Sequence, residues 1–413
     1  MPLAVTTPLR RELRQTFPDR PFSVRFWDGT ELEATGDDDG PAFTVRSSRA
    51  AAYALGAPGQ LGLGRAYIAG ELTVDDVDKV MTLLATWKPP PVDSRARLRL
   101  IWAAVRACGL TLPPKVPAVE LRPQGKRHTR GRDARAVRHH YDVSNAFFSL
   151  FLDASMTYSC AIFSRGATTL EAAQETKLEL ICAKLGLREG QRLLDVGCGW
   201  GSLALHAARH HGVTVTGITL SPSQADEARR RVAAAGLADR VEIRLADYRE
   251  MAGEPFDAIA SVGMVEHVGE EHIDVYAHQL AALLRPGGRL LNHGIARLRH
   301  GDPPAGPFSE RYVFPDADPL HVSRVTLALE RAGLVTQHVE GFAADYAETL
   351  RHWARRFDAN LAEATRLAGA ERIRVWQIYL RAARDGFETG FTGIYQVLAA
   401  RPDGRGLLPS PRF

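Results

Sequence analysis

Gly197, Gly199 and Gly201 sit at alternate positions in the run LLDVGCGWGSL, Leu193 to Leu203. Leu193, Leu194 and Val196 predict a short buried strand that runs into this turn. The glycines let the backbone turn tightly and let a ligand approach closely before a helix begins. The spacing is GxGxG rather than the GxGxxG of dinucleotide-binding turns. Asp195, at the carboxyl end of the strand, can reach the amino group of an amino-acid-like ligand. Together these features suit S-adenosylmethionine (SAM) better than NAD. An ordinary β-α connection also uses such a turn, so the surrounding elements must agree before the motif means anything.

They do agree. VTVTGITL (213–220) predicts a second strand, VEIRLADY (241–248) a third, FDAIASVG (256–263) a fourth and GRLLNHGIA (288–296) a fifth. Each is a short β-branched run flanked by Gly, Asp or Pro. LRPGGRL (284–290) predicts a turn just before the fifth strand, and SQADEARRRVAAAG has helical composition. VTQHVEGFA (335–343) and FTGIYQVLAA (391–400) are the candidates to close the sheet. Strands alternating with helices imply a parallel sheet covered on both faces. In such sheets the ligand lies beyond the carboxyl ends of the strands. Asp195, Thr219, Asp247, Glu266 and His293 fall at or just past strand ends, so they are expected to converge on one cleft.

The 413 residues are 45% hydrophobic and 24% charged, the composition of a globular protein. No apolar run is long enough to span a bilayer. The opening MPLAVTTPLRRELRQTF lacks a signal-peptide core. Cys108, Cys160, Cys182 and Cys198 show neither metal spacing nor a paired framework, which points to a reducing cytoplasm. HVGEEH, His267 to His272, matches neither HExxH nor HxxEH, so no metal is expected there. His139 and His140 read as polar contacts near the cleft, and His210 and His211 as a helix end before Gly212.

Net charge is +4, yet six of the 52 basic residues are lysine and the rest arginine. Arg122, Lys126, Arg127, Arg130, Arg132, Arg135 and Arg138 cluster in one segment. Arg95, Arg97, Arg99 and Arg106 flank Leu98, Leu100, Ile101 and Trp102 in what reads as a basic amphipathic helix. Such a face can lie on an anionic membrane, with arginines on phosphates and Trp102 at the interface. It can equally be a solvated helix packed on its own domain. No nucleic-acid-binding fold accompanies the charge. KPPPVDS (88–94) and LPPKVPAV (112–119) bracket the helix as linkers. Residues 1–87 read as a small α+β domain: FSVRFWDG and PAFTVRS alternate like strands, and GRAYIAGELTVDDVDKVMTLLATW like a turn and a helix. Residues 88–127 are then a Pro-rich linker carrying the basic helix, and 128–413 the α/β domain.

Beyond these local readings, several blocks in order resemble the cyclopropane-fatty-acyl-phospholipid synthases. They are HYDVSNAFFSLFLDASMTYSCAIF (140–163), LDVGCGWG (194–201), GITLSPSQ (217–224), ADYRE (246–250), MVEHVG (264–269), NHGIA (292–296), DYAETLRHW (345–353) and WQIYLRAARDGFETGFTGIYQVLAAR (376–401). LGLGRAYIAGELTVDD is similar to the family's accessory domain. The resemblance implies an α/β, Rossmann-like SAM-dependent methyltransferase domain with a seven-stranded, mostly parallel sheet. It also implies a helical lid at about 305–390 and a small α+β N-terminal domain. Carried across, the SAM site is Tyr158, Ser159, Gly197, Cys198, Gly199, Thr219, Leu220, Gln224, Asp247 and Tyr248, beside Asp195 and Gly201. Gln224 stands where a ribose carboxylate is usual, and Asp247 where an adenine amino group is read.

The resemblance further implies a bicarbonate ion held by Cys160, Glu266, His293, Ile295 and Tyr346. The alkene of an unsaturated phospholipid acyl chain would take the sulfonium methyl and leave a carbocation, whose proton the bicarbonate would remove. Phe147, Phe148, Phe151, Tyr158, Trp353 and Phe357 are candidates to line the cation's pocket, though for any one of them ordinary core is the stronger reading. One departure stands out: RYVFPDADPLHVSRV (311–325) carries Asp316 and Asp318 where many cyclopropane synthases have glycines. This leans toward the side branch that makes methylene- or methyl-branched (tuberculostearic-type) fatty acids. Cyclopropane formation stays open. So do a small-molecule SAM methyltransferase and a lipid-binding scaffold without catalysis. The expected setting is cytoplasmic, peripheral at the inner face of the membrane. A homodimer and a separate reductase partner are compatible with the chain; a nucleic-acid partner is not expected.

Overall fold

The computed structural model describes residues 5–36, 40–109, 114–121, 129, 131–133, 135, 143–301, 306–314 and 316–404. Of the basic segment, Arg122, Lys126, Arg127, Arg130 and Arg138 lie outside the described residues, as do His139 and His140. The chain forms two compact units. One comprises Met1–Leu121, Gly306–Val313 and Ala368–Ala382; the other comprises Arg122–Ala305, Phe314–Leu367 and Ala383–Phe413.

In the first unit β1 (Ser23–Arg25), β2 (Glu31–Leu32), β3 (Ala42–Val45) and β4 (Leu72–Val74) form a sheet in the order β2-β1-β3-β4. Leu9, Phe26 and Leu32 share a core cluster with Ala103, Ala104 and Ala107 of helix Ser94–Cys108. That basic helix therefore belongs to the compact unit rather than to a free linker. Asp93 caps it by accepting from the N–H of Ala96 at 2.7 Å, and the short apolar side chains of its inner face let it pack closely. GRAYIAGELTV is not a turn. It is the end of helix Gln60–Ile68 followed by β4. A Cβ on Gly64 would lie 2.5 Å from the Phe308 ring, so the glycine admits a distant aromatic. Nearby, Arg65 meets the buried Glu120 carboxylate through two bonds of 2.6 and 2.7 Å, and the Tyr312 hydroxyl donates to Glu120 at 2.6 Å.

The second unit is built on β5 (Arg192–Val196), β6 (Thr214–Thr219), β7 (Val241–Leu245), β8 (Phe256–Val262), β9 (Leu284–Arg297), β10 (Val335–Gly341) and β11 (Thr392–Ala400). Their order is β10-β11-β9-β8-β5-β6-β7. β9, β8, β5, β6 and β7 pair in parallel; β11 is antiparallel to both β9 and β10. This is the α/β, Rossmann-like, mostly parallel sheet expected from the sequence. At the centre of the sheet both faces are buried, which is why β5 and β8 are mostly apolar, whereas the edge strands β7 and β10 keep charged and polar residues exposed. Leu193, Ala258 and Leu291 pack against helices Leu170–Leu185, Ser202–His211 and Pro222–Ala234. Leu194, Ile259 and Leu290 pack against Ile273–Leu283 and Val322–Arg331.

A further local expectation fails in this unit. LRPGG is not a turn before the fifth strand but the first part of β9, which extends back to Leu284. Gly287, at φ +78°, and a register shift opposite Phe256 and Ala258 absorb the irregularity. The predicted lid segment, about 305–390, is divided between the two units. Strand order reverses at β5, whose neighbours are β6 and β8. A ligand crevice is expected beyond the carboxyl ends at that point.

Candidate active site

A cavity lies at this switch point. Tyr158, Ser159, Asp195, Gly197, Cys198, Gly199, Thr219, Leu220, Gln224, Asp247 and Tyr248 all line it. Gly201 does not. At φ +83° it precedes helix Ser202–His211, and a Cβ there would stand 3.4 Å from that of Ala228. Its role is to start the helix and let the next one pack close. His267 and His272 line the cavity, although the HVGEEH run matches no motif that would place them there.

Asp195 is buried at the end of β5, and its Oδ2 has no hydrogen-bond partner among the described residues. Burial lifts its pKa to about 7, opposed by Lys177. Lys177, wholly buried on helix Leu170–Leu185, also lines the cavity and donates to Ser159 Oγ at 2.9 Å. Burial lowers its pKa to about 8, opposed by Asp153, Cys160 and Asp195. A cationic ligand group near Asp195 would find an unsatisfied acceptor. Behind the turn Gly217 has no side chain because Cys198 needs the space: a Cβ would come within 3.0 Å of the Cys198 Cβ and 2.9 Å of Ile243.

Thr219 Oγ1 donates to Gln224 Oε1 at 2.8 Å and accepts from the N–H of Ser221 at 3.2 Å. Gln224 therefore spends its carbonyl internally and keeps its amide N–H groups for a ligand hydroxyl. Asp247 is held by Arg249. Its Oδ1 accepts from the backbone N–H and Nε at 2.9 Å each, and its Oδ2 accepts from Nη2 at 2.6 Å. Arg249 also reaches Asp133 at 2.9 Å. A carboxylate has further lone pairs, so Asp247 can still accept from an amino group. Burial raises the Tyr248 hydroxyl to about 12, so it stays a neutral donor.

Cys160, Glu266, His293, Ile295 and Tyr346 do not line this cavity; they lie on segments that continue from it. Cys160 follows Tyr158 and Ser159, Glu266 follows Met264, and His293 pairs with Val262 across β8 and β9. Glu266 is buried and its Oε2 has no partner among the described residues. Burial lifts its pKa to about 7, against backbone hydrogen bonds at Glu266 and Ile295. A Cβ on Gly294 would lie 2.2 Å from Val265 and 3.2 Å from Glu266 Oε2, so the glycine lets the acid approach β9. His293 is buried, with Nδ1 3.2 Å from Gln396 Nε2 and Nε2 unpartnered among the described residues. Burial, then Lys177 and Lys184, push its pKa down to about 3.

The Cys160 thiol donates to the carbonyls of Ala161 at 3.2 Å and Phe342 at 3.7 Å, and burial pushes its pKa well up. It is no thiolate nucleophile. Its loop is pinned to helix Ala343–Ala359. Thr349 Oγ1 accepts from Ala161 N–H at 3.0 Å, and Asp345 Oδ1 accepts from Phe163 and Ser164 at 2.6 and 2.7 Å. Tyr346 on the same helix packs against Trp353 and Phe387 at 6.1 and 4.7 Å between ring centroids. Tyr158 stacks on Trp353 at 5.0 Å, and Phe147, Phe148, Phe151 and Phe357 form an edge-to-face cluster beside them. The predicted aromatic set is thus one continuous packed cluster, of which only Tyr158 lines the cavity and Phe147, Phe148, Phe151, Trp353 and Phe357 are fully buried core.

Residues 128–397 match the family described as mycolic acid cyclopropane synthetase. The chain belongs to this family. A probable fatty acid methyltransferase of Mycobacterium tuberculosis is 40% identical over 94% of this chain and 92% of its own length. The tuberculostearic acid methyltransferase UfaA1 of the same organism is 33% identical over 94% of this chain and 89% of its own. Among solved structures, the mycolic acid cyclopropane synthase CmaA1 complexed with SAH and CTAB superposes with a TM-score of 0.61. It is 32% identical, covering 64% of this chain and 97% of that one. This family member is accordingly a SAM-dependent methyltransferase whose activity class is methyl transfer to fatty-acyl substrates.

Away from the cavity of this cyclopropane synthetase relative, Cys182, His206 and His211 bring ligand-type atoms within 4.8 Å of one another. Glu179 Oε2 lies 3.1 Å from Nε2 of each histidine. These hydrogen bonds already join the two helices, so the cluster has a structural use without a metal.

Proposed function

We propose that the protein transfers the SAM methyl group to the double bond of an unsaturated phospholipid acyl chain, with loss of a proton to a bicarbonate ion. The observation that carries this reading is the pair of buried, unsatisfied polar atoms, Glu266 Oε2 and His293 Nε2. They belong to segments continuous with the SAM cavity, and a buried polar atom without a partner is costly. An ordinary oxygen or nitrogen methyltransferase needs only a local base and has no use for a further pair of unsatisfied buried polar groups.

Asp195, Gln224 and Asp247 would hold SAM by its amino group, ribose and adenine; when bound, SAM supplies an electrophilic methyl on a sulfonium. The backbone at Cys160 and Ile295, His293 Nε2 and the Tyr346 hydroxyl would hold bicarbonate, which supplies a base of modest strength. Glu266, as the carboxylate, accepts a hydrogen bond from the ion's own proton and fixes its orientation. The alkene π pair forms the new C–C bond while the C–S pair leaves with sulfur, and the cation forms on the neighbouring carbon. Tyr158 and Trp353 offer π faces rather than nucleophiles, and the aromatic cluster excludes water. Loss of a methyl proton with closure onto the cation gives a cyclopropane. A hydride shift followed by the same proton loss gives an exocyclic methylene, which needs a reductase in another protein to become a methyl branch.

The methylene product is favoured by Asp316 and Asp318 in the 311–325 segment and by the near full-length likeness to relatives named as fatty acid methyltransferases. The deciding experiment is to incubate the protein with SAM and oleoyl phospholipid vesicles, then analyse the released acids by mass spectrometry and NMR. A one-carbon gain with vinylidene protons is expected. Cyclopropyl protons would reverse the choice of product, and no gain on lipid with SAM bound would revive a small-molecule acceptor.

A further inference from the structure

A row of buried polar groups runs into His293 across neighbouring strands on one face of the sheet. Glu340 on β10 accepts from Lys184 Nζ at 2.5 Å; Lys184, at the end of helix Leu170–Leu185, donates to Gln396 Oε1 at 2.7 Å. Gln396 on β11 sits directly opposite His293 on β9, with Nε2 3.2 Å from Nδ1. Lys184, Gln396 and His293 are all essentially inaccessible to solvent. Lys184 also lies over the Phe342 ring, 5.3 Å from its centroid, and Phe342 packs near the His293 ring and accepts from the Cys160 thiol.

Donor and acceptor rules leave one arrangement. An ammonium group has only donors, so the Gln396 atom facing it must be the carbonyl oxygen. The amide N–H then faces His293 Nδ1, which must present its lone pair. A neutral imidazole has one proton, so it sits on Nε2. Flipping the Gln396 amide would set N–H against ammonium and leave two buried groups mismatched. Glu340 offsets the cost of burying the Lys184 charge. We propose that Lys184 and Gln396 are positioning residues that fix His293 as the Nε2–H tautomer, so that Nε2 always faces the site as a hydrogen-bond donor. The inference rests on the reading of His293 as an anion-holding residue. It adds what keeps that residue a donor rather than an acceptor, which an alkene-derived cation would alkylate.

Gln396→Glu tests this with almost no change of shape. The new carboxylate still accepts from Lys184 but offers Nδ1 an acceptor, so the ring proton moves to Nδ1 or the ring becomes charged. Ring nitrogen shifts in protein labelled at histidine, with His293→Gln for assignment, are expected to show protonated Nε2 and bare Nδ1 in the wild type from pH 5 to 8. Gln396→Glu should lose that signature and about 100-fold in kcat, the low end for a positioned proton-handling group, with SAM affinity unchanged. Lys184→Met, which removes the lock without adding a carboxylate, should give mixed tautomers and a smaller loss. A wild-type ring protonated on Nδ1 overturns the proposal, as does a Gln396→Glu enzyme with wild-type shifts and kcat. The tautomer signature without any lipid methylation would sink the functional reading instead and leave the lock standing.

Discussion

Asp195 and Glu266 each hold their proton up to about pH 7 because burial penalises the carboxylate. The sign of the consequence is fixed. A carboxyl whose folded pKa lies above its ordinary value stabilises the fold fully below that ordinary value and loses this contribution as pH rises through the folded pKa. The ligand-free protein should therefore lose stability between about pH 4 and 7 on account of these groups. For Asp195, a SAM ammonium selects the carboxylate, so binding below pH 7 must expel a proton. Calorimetry at pH 6 in buffers of different ionisation enthalpy should show release approaching one proton per SAM, falling away by pH 8.5. Asp195→Asn should abolish the release and weaken SAM binding by roughly 1–3 kcal/mol, the cost of a lost charged hydrogen bond. Buffer-independent binding heats in the wild type would mean that Asp195 is already ionised in the free protein.

The segment after β9 shows what an element can hide. Asp316 takes φ +65°, a region where glycine is the easy choice. It stays there because both carboxylate oxygens meet Arg132, a buried partner, at 2.5 Å. Asp318 ties the same segment to Arg297 at 2.5 Å and, through its N–H, to the Glu266 carbonyl at 2.9 Å. Restoring glycine at 316 relieves about 1 kcal/mol of backbone strain but takes a two-point carboxylate away from the buried Arg132, a loss of about 3 kcal/mol. Asp316→Gly should thus lower the urea midpoint, and adding Arg132→Met should recover most of the loss. A single variant as stable as wild type would show that the pair contributes nothing. These two aspartates were visible in the sequence only as departures from expected glycines; their partners were not. β5 to β8 were legible because each is a short run rich in β-branched or aliphatic residues flanked by a turn signal, continuous in β5 and β8 and alternating in β7. Asp195, Thr219 and Asp247 were legible because they sit at or just past the ends of such strands, whereas Tyr158 and Gln224 were legible only through the family resemblance. Helix Gln60–Ile68 was not, since one of its two glycines, Gly64, answers to Phe308, far along the chain. Lys184 and Gln396 were not either: they lie 212 positions apart, and each is a lone polar residue in an apolar pattern.

A phospholipid-modifying enzyme must meet its substrate at a membrane, and among the described residues no helix is long and apolar enough to cross one. On the proposed reading, contact would come from a surface. Helix Ser94–Cys108 buries Ala103, Ala104 and Ala107 and turns Leu98 (56% exposed) and Trp102 (66% exposed) outward among exposed Arg95, Arg97, Arg99 and Arg106. Apolar side chains with an aromatic, fringed by arginine, match an anionic interface. Since neither outward side chain supports the core, Leu98→Ala with Trp102→Ala should fold normally. Burying a large apolar side chain contributes about 1.5–3 kcal/mol, so the double variant should lose at least tenfold in co-sedimentation with anionic vesicles. Raising salt should weaken wild-type binding as the arginine contribution is screened. Zwitterionic vesicles should bind less in both proteins. The same variant should lose methyl transfer to vesicle lipid while keeping SAM affinity and turnover of a detergent-dispersed acyl substrate, because only delivery has changed. Vesicle binding equal to wild type in the double variant would place the membrane contact elsewhere on the protein and leave this helix as a solvated face of its own unit.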